Sequence, residues 1–359
     1  MTGVDTAGGL TVPAPRSGEM LRPEDFNAET RALLEAVGLA AKKTVADSRP
    51  ENTRDGYAQD WETWEKFTAE KGLPVLAVEE GTLVAFVHWL WQQPGKKAGT
   101  NTAPSTVERR LSGVISTARK EHGLTLDRKV ASLAREYIKA LVKQMEKDGE
   151  VRGTGPAPAL LPIHMKQISK ALPDNLRGVR DRSLMTMHFA IAGREHELAY
   201  LRNRDITEDP EGRGLLVDIR VSKVKPRKVK VLPLQDTRIC PVTSWRKYKA
   251  DVEELTGEEL DPDDFAFRRI HAKGKSLMVG GITPEAVGDV ITRCGEIAGL
   301  DIRPTGHSPR RGLATAAKKA GNDRSVIAAQ GGWAPNSTAM EGYFDEEDGW
   351  EENALRGVG

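Results

Sequence analysis

The chain has 359 residues, 38% hydrophobic and 29% charged, with 53 Lys and Arg against 52 Asp and Glu for a formal net charge of +1. That length supports two domains with cores of their own, in a soluble and fairly polar protein. Composition excludes several classes: no apolar run reaches the roughly eighteen residues of a membrane span, and residues 1–22 lack the basic-then-apolar order of a signal peptide. Two cysteines, Cys240 and Cys294, make neither a disulfide framework nor a zinc site, so a reducing cytoplasm and no metal are expected. The near-zero sum conceals basic clusters at Lys96-Lys97, Arg109-Arg110, residues 220–230, Arg268-Arg269, Arg310-Arg311 and Lys318-Lys319, balanced by acidic residues at 345–348 and Glu351-Glu352. Local patches of this kind bind phosphates even on a neutral chain, although a solvated helix face is the plainer account of any one of them.

Residues 1–22 read as a flexible lead. Residues 23–47 pattern as a helix with Leu33, Leu34, Val37, Leu39 and Ala40 as its apolar set. In residues 52–71, Tyr57, Trp61, Trp64 and Phe67 recur at helical spacing, a stripe that serves a core before it serves base stacking. Residues 81–93 form a second apolar helix with Phe86, Trp89, Leu90 and Trp91. A loop at 94–104 carries Lys96 and Lys97; Ser105 is then placed to cap a helix with Val107, Leu111, Val114 and Ile115 inward and Arg109, Arg110 and Arg119 outward. With a helix at 131–147, an all-helical domain occupies residues 23–148, and Lys96, Lys97, Arg109 and Arg110 form a basic set suited to a nucleic-acid backbone. Residues 149–162, rich in Gly and Pro, read as an interdomain linker.

The second domain, residues 163–359, opens with helices at 163–171 and 178–192 that lead into Gly193-Arg194-Glu195-His196-Glu197-Leu198. Strand-like runs at 215–221 and 228–234 flank a turn near Pro226, so a hairpin sits among helices. Helices are expected at 243–255 and 283–298, with an acidic loop at 257–264 between them. The architecture is therefore mainly α with a small antiparallel β-sheet, an α+β organisation in two domains.

Residues 306–343 carry most of the functional signal. Ser308 suits an N-cap and Pro309 the first helical position, so a helix should run to about Ala320, with His307 and Arg310 at a mouth that favours anions. Gly321 ends that helix, Asn322 caps a second that Gly331-Gly332 closes, and a third starts at Asn336 or Ser337. One face could gather a His, an Arg, a Trp and a Tyr.

The ordered set Gly193-Arg194-x-x-Glu197-Leu198, a hairpin lysine, Gly306-His307-Ser308-x-Arg310-x-Gly312, Gly331-Gly332-Trp333 and Tyr343 resembles the tyrosine recombinases, or phage-type integrases. Its motif forms are most similar to the Cre recombinase branch. The resemblance implies a two-domain DNA clamp, with a helical core-binding domain ahead of a catalytic domain. It also implies transesterification without ATP, cofactor or metal: Tyr343 attacks a phosphodiester to give a 3′-phosphotyrosyl link, whose phenolate is a good leaving group when the step reverses. Arg194 and Arg310 would hold the non-bridging oxygens, His307 would take the phenol proton, and Trp333 would stand where many relatives carry a second His. The acid for the departing 5′ oxygen is Lys223 when counted from the preceding strand and Lys225 when counted back from Leu232-Pro233; Lys223 is preferred. Glu197 would orient the basic groups, and Arg311 would join the DNA-binding set. The spacing from Trp333 to Tyr343 is one residue longer than usual in the family.

The implied partners are double-stranded target sites, a homotetramer on synapsed DNA formed from monomers or weak oligomers, and an accessory DNA-bending protein. Protein bound to DNA would be nucleoid-associated, and an acidic tail carrying Trp350 and Leu355 would dock on a neighbouring subunit. Each residue alone has a blander account: a helix-capping Arg, a structural His, a core Trp, a surface Tyr. Two other functions remain in view. A non-catalytic DNA-binding regulator would use the helices at 309–320 and 323–330 as a helix-turn-helix; a type IB topoisomerase or telomere resolvase would share the chemistry.

Overall fold

The computed structural model describes residues 4–6, 10–12, 26–47, 51–96, 98–222, 225–271, 273–334 and 336–344. Two compact units divide the chain, residues 1–155 and 156–359. Among the described residues, no helix is long and apolar enough to cross a membrane.

In the first unit, β1 (Val4–Thr6) pairs antiparallel with β2 (Leu10–Val12); the rest of the expected lead lies outside the described residues. Five helices follow: α1 (Ala28–Asp47), α2 (Glu51–Lys71), α3 (Glu80–Trp91), α4 (Pro104–Lys120) and α5 (Ser132–Lys147). The aromatic stripe of α2 is core, as its spacing indicated. Trp64 is fully buried, stands edge-on to Phe86 at 5.1 Å, and satisfies its indole N–H on the Val75 carbonyl at 2.7 Å. Two local expectations fail. Leu34, Val37 and Leu39 of α1 are exposed, because periodicity states which side a helix would bury and not whether a surface is there to cover it. Ser105 is not the cap of α4; Ala103 precedes the helix and Pro104 takes its first position, where the missing N–H costs nothing.

The second unit runs α6 (Pro162–Ala171), α7 (Leu176–Ala190), α8 (Glu195–Ala199), β3 (Ile206–Glu208), β4 (Leu215–Ile219), β5 (Arg227–Val231) and α9 (Pro241–Thr256). It continues with β6 (Arg268–Ile270), β7 (Leu277–Gly281), α10 (Pro284–Ile297), α11 (Ser308–Lys319), α12 (Arg324–Gly331) and α13 (Thr338–Glu341). The sheet is antiparallel in the order β3-β4-β5, one strand more than the predicted hairpin, and β6-β7 is a further hairpin that alternation did not disclose. β4 shows why the period-two reading worked: Leu215, Val217 and Ile219 are buried against the helices. α7 stops at Ala190, earlier than predicted, because Ala192 adopts a left-handed backbone with φ +43°. This turn presents Arg194.

Candidate active site

Arg194 is the N-cap residue of α8, and the carboxylate that completes this cap is Glu197, whose Oε2 accepts the Arg194 N–H at 3.0 Å. The Arg194 guanidinium reaches Glu197 through Nη1 alone, at 3.2 Å. Just upstream, the strained turn is held from two sides. His188, fully buried in α7, lies 3.0 Å through Nε2 from the Gly193 carbonyl, while Arg310 donates through Nη1 to the Ala192 carbonyl. Burial, opposed by the bond to Gly193 and assisted by the charge of Arg310, pushes the His188 pKa down to about 4, so the ring is neutral and its Nε2–H donates. A left-handed alanine costs free energy that these bonds offset.

His307 and Arg310 come from the mouth of α11. The expected cap is corrected here: His307 precedes the helix, while the Ser308 hydroxyl turns back to accept the Thr305 N–H at 2.9 Å and the Ser308 carbonyl accepts the Leu160 N–H at 3.0 Å. Gly312 is required by this close approach, since a Cβ there would stand 2.1 Å from the Leu160 carbonyl oxygen. Arg310 is 2% exposed and donates through Nη1 to the Gly331 carbonyl at 2.7 Å as well as to Ala192, yet its buried Nη2 has no hydrogen-bond partner among the described residues. Burial and then the neighbouring Arg194 lower its pKa to about 10, which leaves it protonated at neutral pH. His307 is exposed; desolvation of its ring, then Arg310 and Arg194, hold its pKa below the usual imidazole value.

The three short helices fold back as the glycines indicated, with one cap displaced: Asp323 caps α12 by accepting the Ser325 N–H at 2.7 Å, not Asn322. Gly332 ends α12 at φ +63°, and the chain turns so that Trp333 lies flat on Arg310, its ring centroid 3.8 Å from the guanidinium carbon. Ser337 caps α13, after which Tyr343 stands edge-on to Trp333 at 6.0 Å and Phe344 anchors the turn beside Ala314 and Ile327. Tyr343 is thus brought to the Arg310 face, against the same indole that covers the guanidinium.

Sequence reasoning missed Arg227, on β5. Its Nη1 and Nη2 donate to the two oxygens of Glu197 at 3.0 and 2.9 Å, and Ser222 Oγ adds a bond at 2.8 Å. Burial by itself would raise the Glu197 pKa; the bonds and charge of Arg227 outweigh it and bring the value to about 2. A signal existed, since Arg227 shares a strand face with the buried Val229 and Val231. Of the two candidate lysines, Lys225 is exposed on the turn before β5, and Lys223 lies outside the described residues.

The expected DNA-binding set is mixed. Lys96 is exposed, while Lys97 and the acidic tail with Trp350 and Leu355 lie outside the described residues. Arg109 is half-exposed and bonds to the buried Asp60 at 2.7 Å; Arg110 is partly buried, its Nε without a partner among the described residues. Arg311 is a correction: it is 3% exposed, donates to the Ala157 carbonyl at 3.0 Å and lies 5.5 Å from the Tyr343 ring, so it supports the tyrosine from inside instead of facing solvent.

Residues 159–349 match the model of the Phage integrase family. An integrase/recombinase xerD homolog of Selenomonas ruminantium is 23% identical over 326 residues, 89% of each chain. Among solved structures, a lambda integrase (75-356) dimer bound to a COC′ core site has a TM-score of 0.52 at 14% identity, covering 86% of this chain and 94% of that one. XerH site-specific recombinase bound to its difH substrate gives 0.52 at 14%, covering 82% and 75%. A lambda integrase tetramer bound to a Holliday junction also gives 0.52 at 14%, covering 96% and 92%. At these identities the structures establish the fold, and the family match establishes descent: the chain belongs to the phage integrase family and is a site-specific recombinase of the tyrosine type.

Proposed function

We propose that Tyr343 is the nucleophile and that Arg194 and Arg310 bind the scissile phosphate. The phenolic oxygen forms a bond to phosphorus, the bond to the 5′ oxygen breaks, and a 3′-phosphotyrosyl link and a 5′-hydroxyl result. His307, neutral and at the helix mouth, takes the phenol proton, and Lys223 or Lys225 gives one to the departing oxygen. The supporting observation is the buried Arg310 fork. One nitrogen is fixed on two carbonyls, the other has no acceptor among the described residues, and Trp333 covers the guanidinium face while Tyr343 stands beside it. A protonated buried donor without a partner is costly unless a substrate oxygen completes it.

The substrate is double-stranded DNA at specific target sites, and the active assembly is a homotetramer on two synapsed sites, built from monomers or weak oligomers in the cytoplasm and at the nucleoid. The 149–162 linker joins the DNA-binding and catalytic domains, and phosphate contacts make binding fall steeply with salt. The helix-turn-helix regulator is disfavoured because it gives no role to the Arg194–Glu197–Arg227 network or to Tyr343 beside Arg310 and Trp333. A duplex nicked close to the cut site tests the chemistry: the chain should form a covalent, protease-sensitive DNA adduct, and Tyr343→Phe should form none. An adduct in Tyr343→Phe would sink the assignment. Joining of two sites, as opposed to relaxation of supercoils alone, separates recombinase from topoisomerase.

A further inference from the structure

Arg227 bridges two of the segments that build the site, the Arg194 turn and the end of α12. Besides Glu197, it donates to the Ile191 carbonyl at 3.3 Å, one residue before the strained Ala192, and to the Gln330 carbonyl at 3.4 Å, one residue before the Gly331 that anchors Arg310. A Cβ at Gly332 would come within 3.0 Å of the Arg227 side chain, so the turn into Trp333 is also shaped around it. With 9% of its side chain exposed and its fork committed to Glu197, it is not itself a phosphate ligand.

The arithmetic of charge gives this contact a role. Arg194, Arg227 and Arg310 face one carboxylate, Glu197, whose side chain is fully buried. A fork-to-fork pair is the strongest geometry open to a carboxylate, and Arg227 occupies it, leaving Arg194 a single longer bond. Without Arg227, the buried carboxylate would be left to draw on Arg194, the next guanidinium, and would place uncompensated negative charge beside an incoming phosphate.

Resting on the proposed role of Arg194, we propose that Arg227 is a positioning residue: it claims both oxygens of Glu197 so that the outer edge of Arg194 stays available to the scissile phosphate. Among the described residues, the groups facing Glu197 are Arg194 at the start of α8, Arg227 on β5, Ser222 on the hairpin, Arg310 from α11 and His188 from α7. Removing the Arg227 charge raises the readiness of Glu197 to take a proton, and a protonated Glu197 no longer draws on Arg194.

The test is single-turnover adduct formation on the nicked duplex by the full-length parent, Arg227→Gln, Arg227→Lys and Arg227→Gln/Glu197→Gln, with duplex affinity measured alongside. Arg227→Gln should be about 100-fold slower than the parent near neutral pH, the scale of losing one oriented donor, with affinity little changed. Its deficit relative to the parent should shrink as pH falls from about 8 to about 5.5. Arg227→Lys should recover part of the rate, and the double variant should be about tenfold faster than Arg227→Gln because the lone carboxylate is gone. Arg227→Gln within about threefold of the parent would overturn the proposal. So would a double variant no faster than Arg227→Gln together with a deficit flat in pH, the pattern of a merely structural arginine. A parent that forms no adduct overturns the reading of the whole site and this role with it; an adduct in the parent with either of the two previous outcomes overturns this role alone.

Discussion

Two fully buried carboxylate side chains, Asp60 in the first unit and Glu197 in the second, each meet an arginine and acquire opposite properties. Asp60 takes one bond from the half-exposed Arg109 on Oδ2 and leaves Oδ1 without a partner among the described residues; burial outweighs the arginine, and its pKa is raised. Glu197 has both oxygens filled, by the Arg227 fork, by Arg194 and by Ser222, and its pKa falls to about 2. Depth is the same in both, so donor supply decides the outcome. A carboxylate with a complete set of partners is a fixed charge around which other groups can be arranged; one with half a set is a tolerated cost.

The contrast can be tested from its strongest side. Glu197→Ala leaves the Arg227 guanidinium uncompensated and should cost the catalytic unit about 3–5 kcal/mol, read as a lower urea midpoint at neutral pH. A loss under about 1 kcal/mol would erase the distinction from an ordinary surface pair. The sign with pH follows from the depressed value. The Glu197 contribution is complete above the unfolded carboxylate value of about 4.5 and is lost as pH falls toward about 2. The parent's advantage over Glu197→Gln should therefore narrow across that window.

An intermediate effect concerns the positive charge that Glu197 does not cancel. His307→Gln should slow adduct formation by about 100-fold. In the parent, the neutral imidazole is present above its lowered pKa and lost as pH falls through it, so the rate should hold to below 6.5, the unperturbed imidazole value. A decline that begins above neutrality would mean that the ring is not held neutral by desolvation and the two arginines.

The smallest effect belongs to Asp60. Its raised pKa means that the charged form carries a penalty at neutral pH, relieved as pH falls through the folded value toward 3.8. Asp60→Asn should change stability by less than about 1 kcal/mol and should oppose the pH trend of Glu197→Gln. A large loss would show that Arg109 supplies more than one exposed bond is worth.

Ordered motifs and periodicity made much of this legible in the chain itself. Arg194, His307, Arg310, Trp333 and Tyr343 stand in motifs whose order is a linear property, and the helix at 308–319 announced itself through Pro309 and Gly321. Caps were less legible: Ser105, Ser308 and Asn322 all have capping side chains, but tertiary neighbours or an adjacent Pro or Asp took the position. β6 and β7 escaped because Arg268–Ile270 is short and Leu277–Gly281 ends in two glycines, too little alternation to register.

Composition and spacing were sufficient for the helical class and the presence of a hairpin, and motif order for the set of side chains proposed to react, because these depend on residues near one another or on their order. Which arginine keeps a donor for the proposed phosphate, which is committed to a carboxylate and which is buried behind the tyrosine depend on how the chain closes. Arg310 and Arg311 are neighbours in sequence, yet one leaves a donor without a partner among the described residues, beneath Trp333, and the other binds the Ala157 carbonyl. A guanidinium looks the same in any sequence; its role is set by the acceptors that folding brings within about 3 Å.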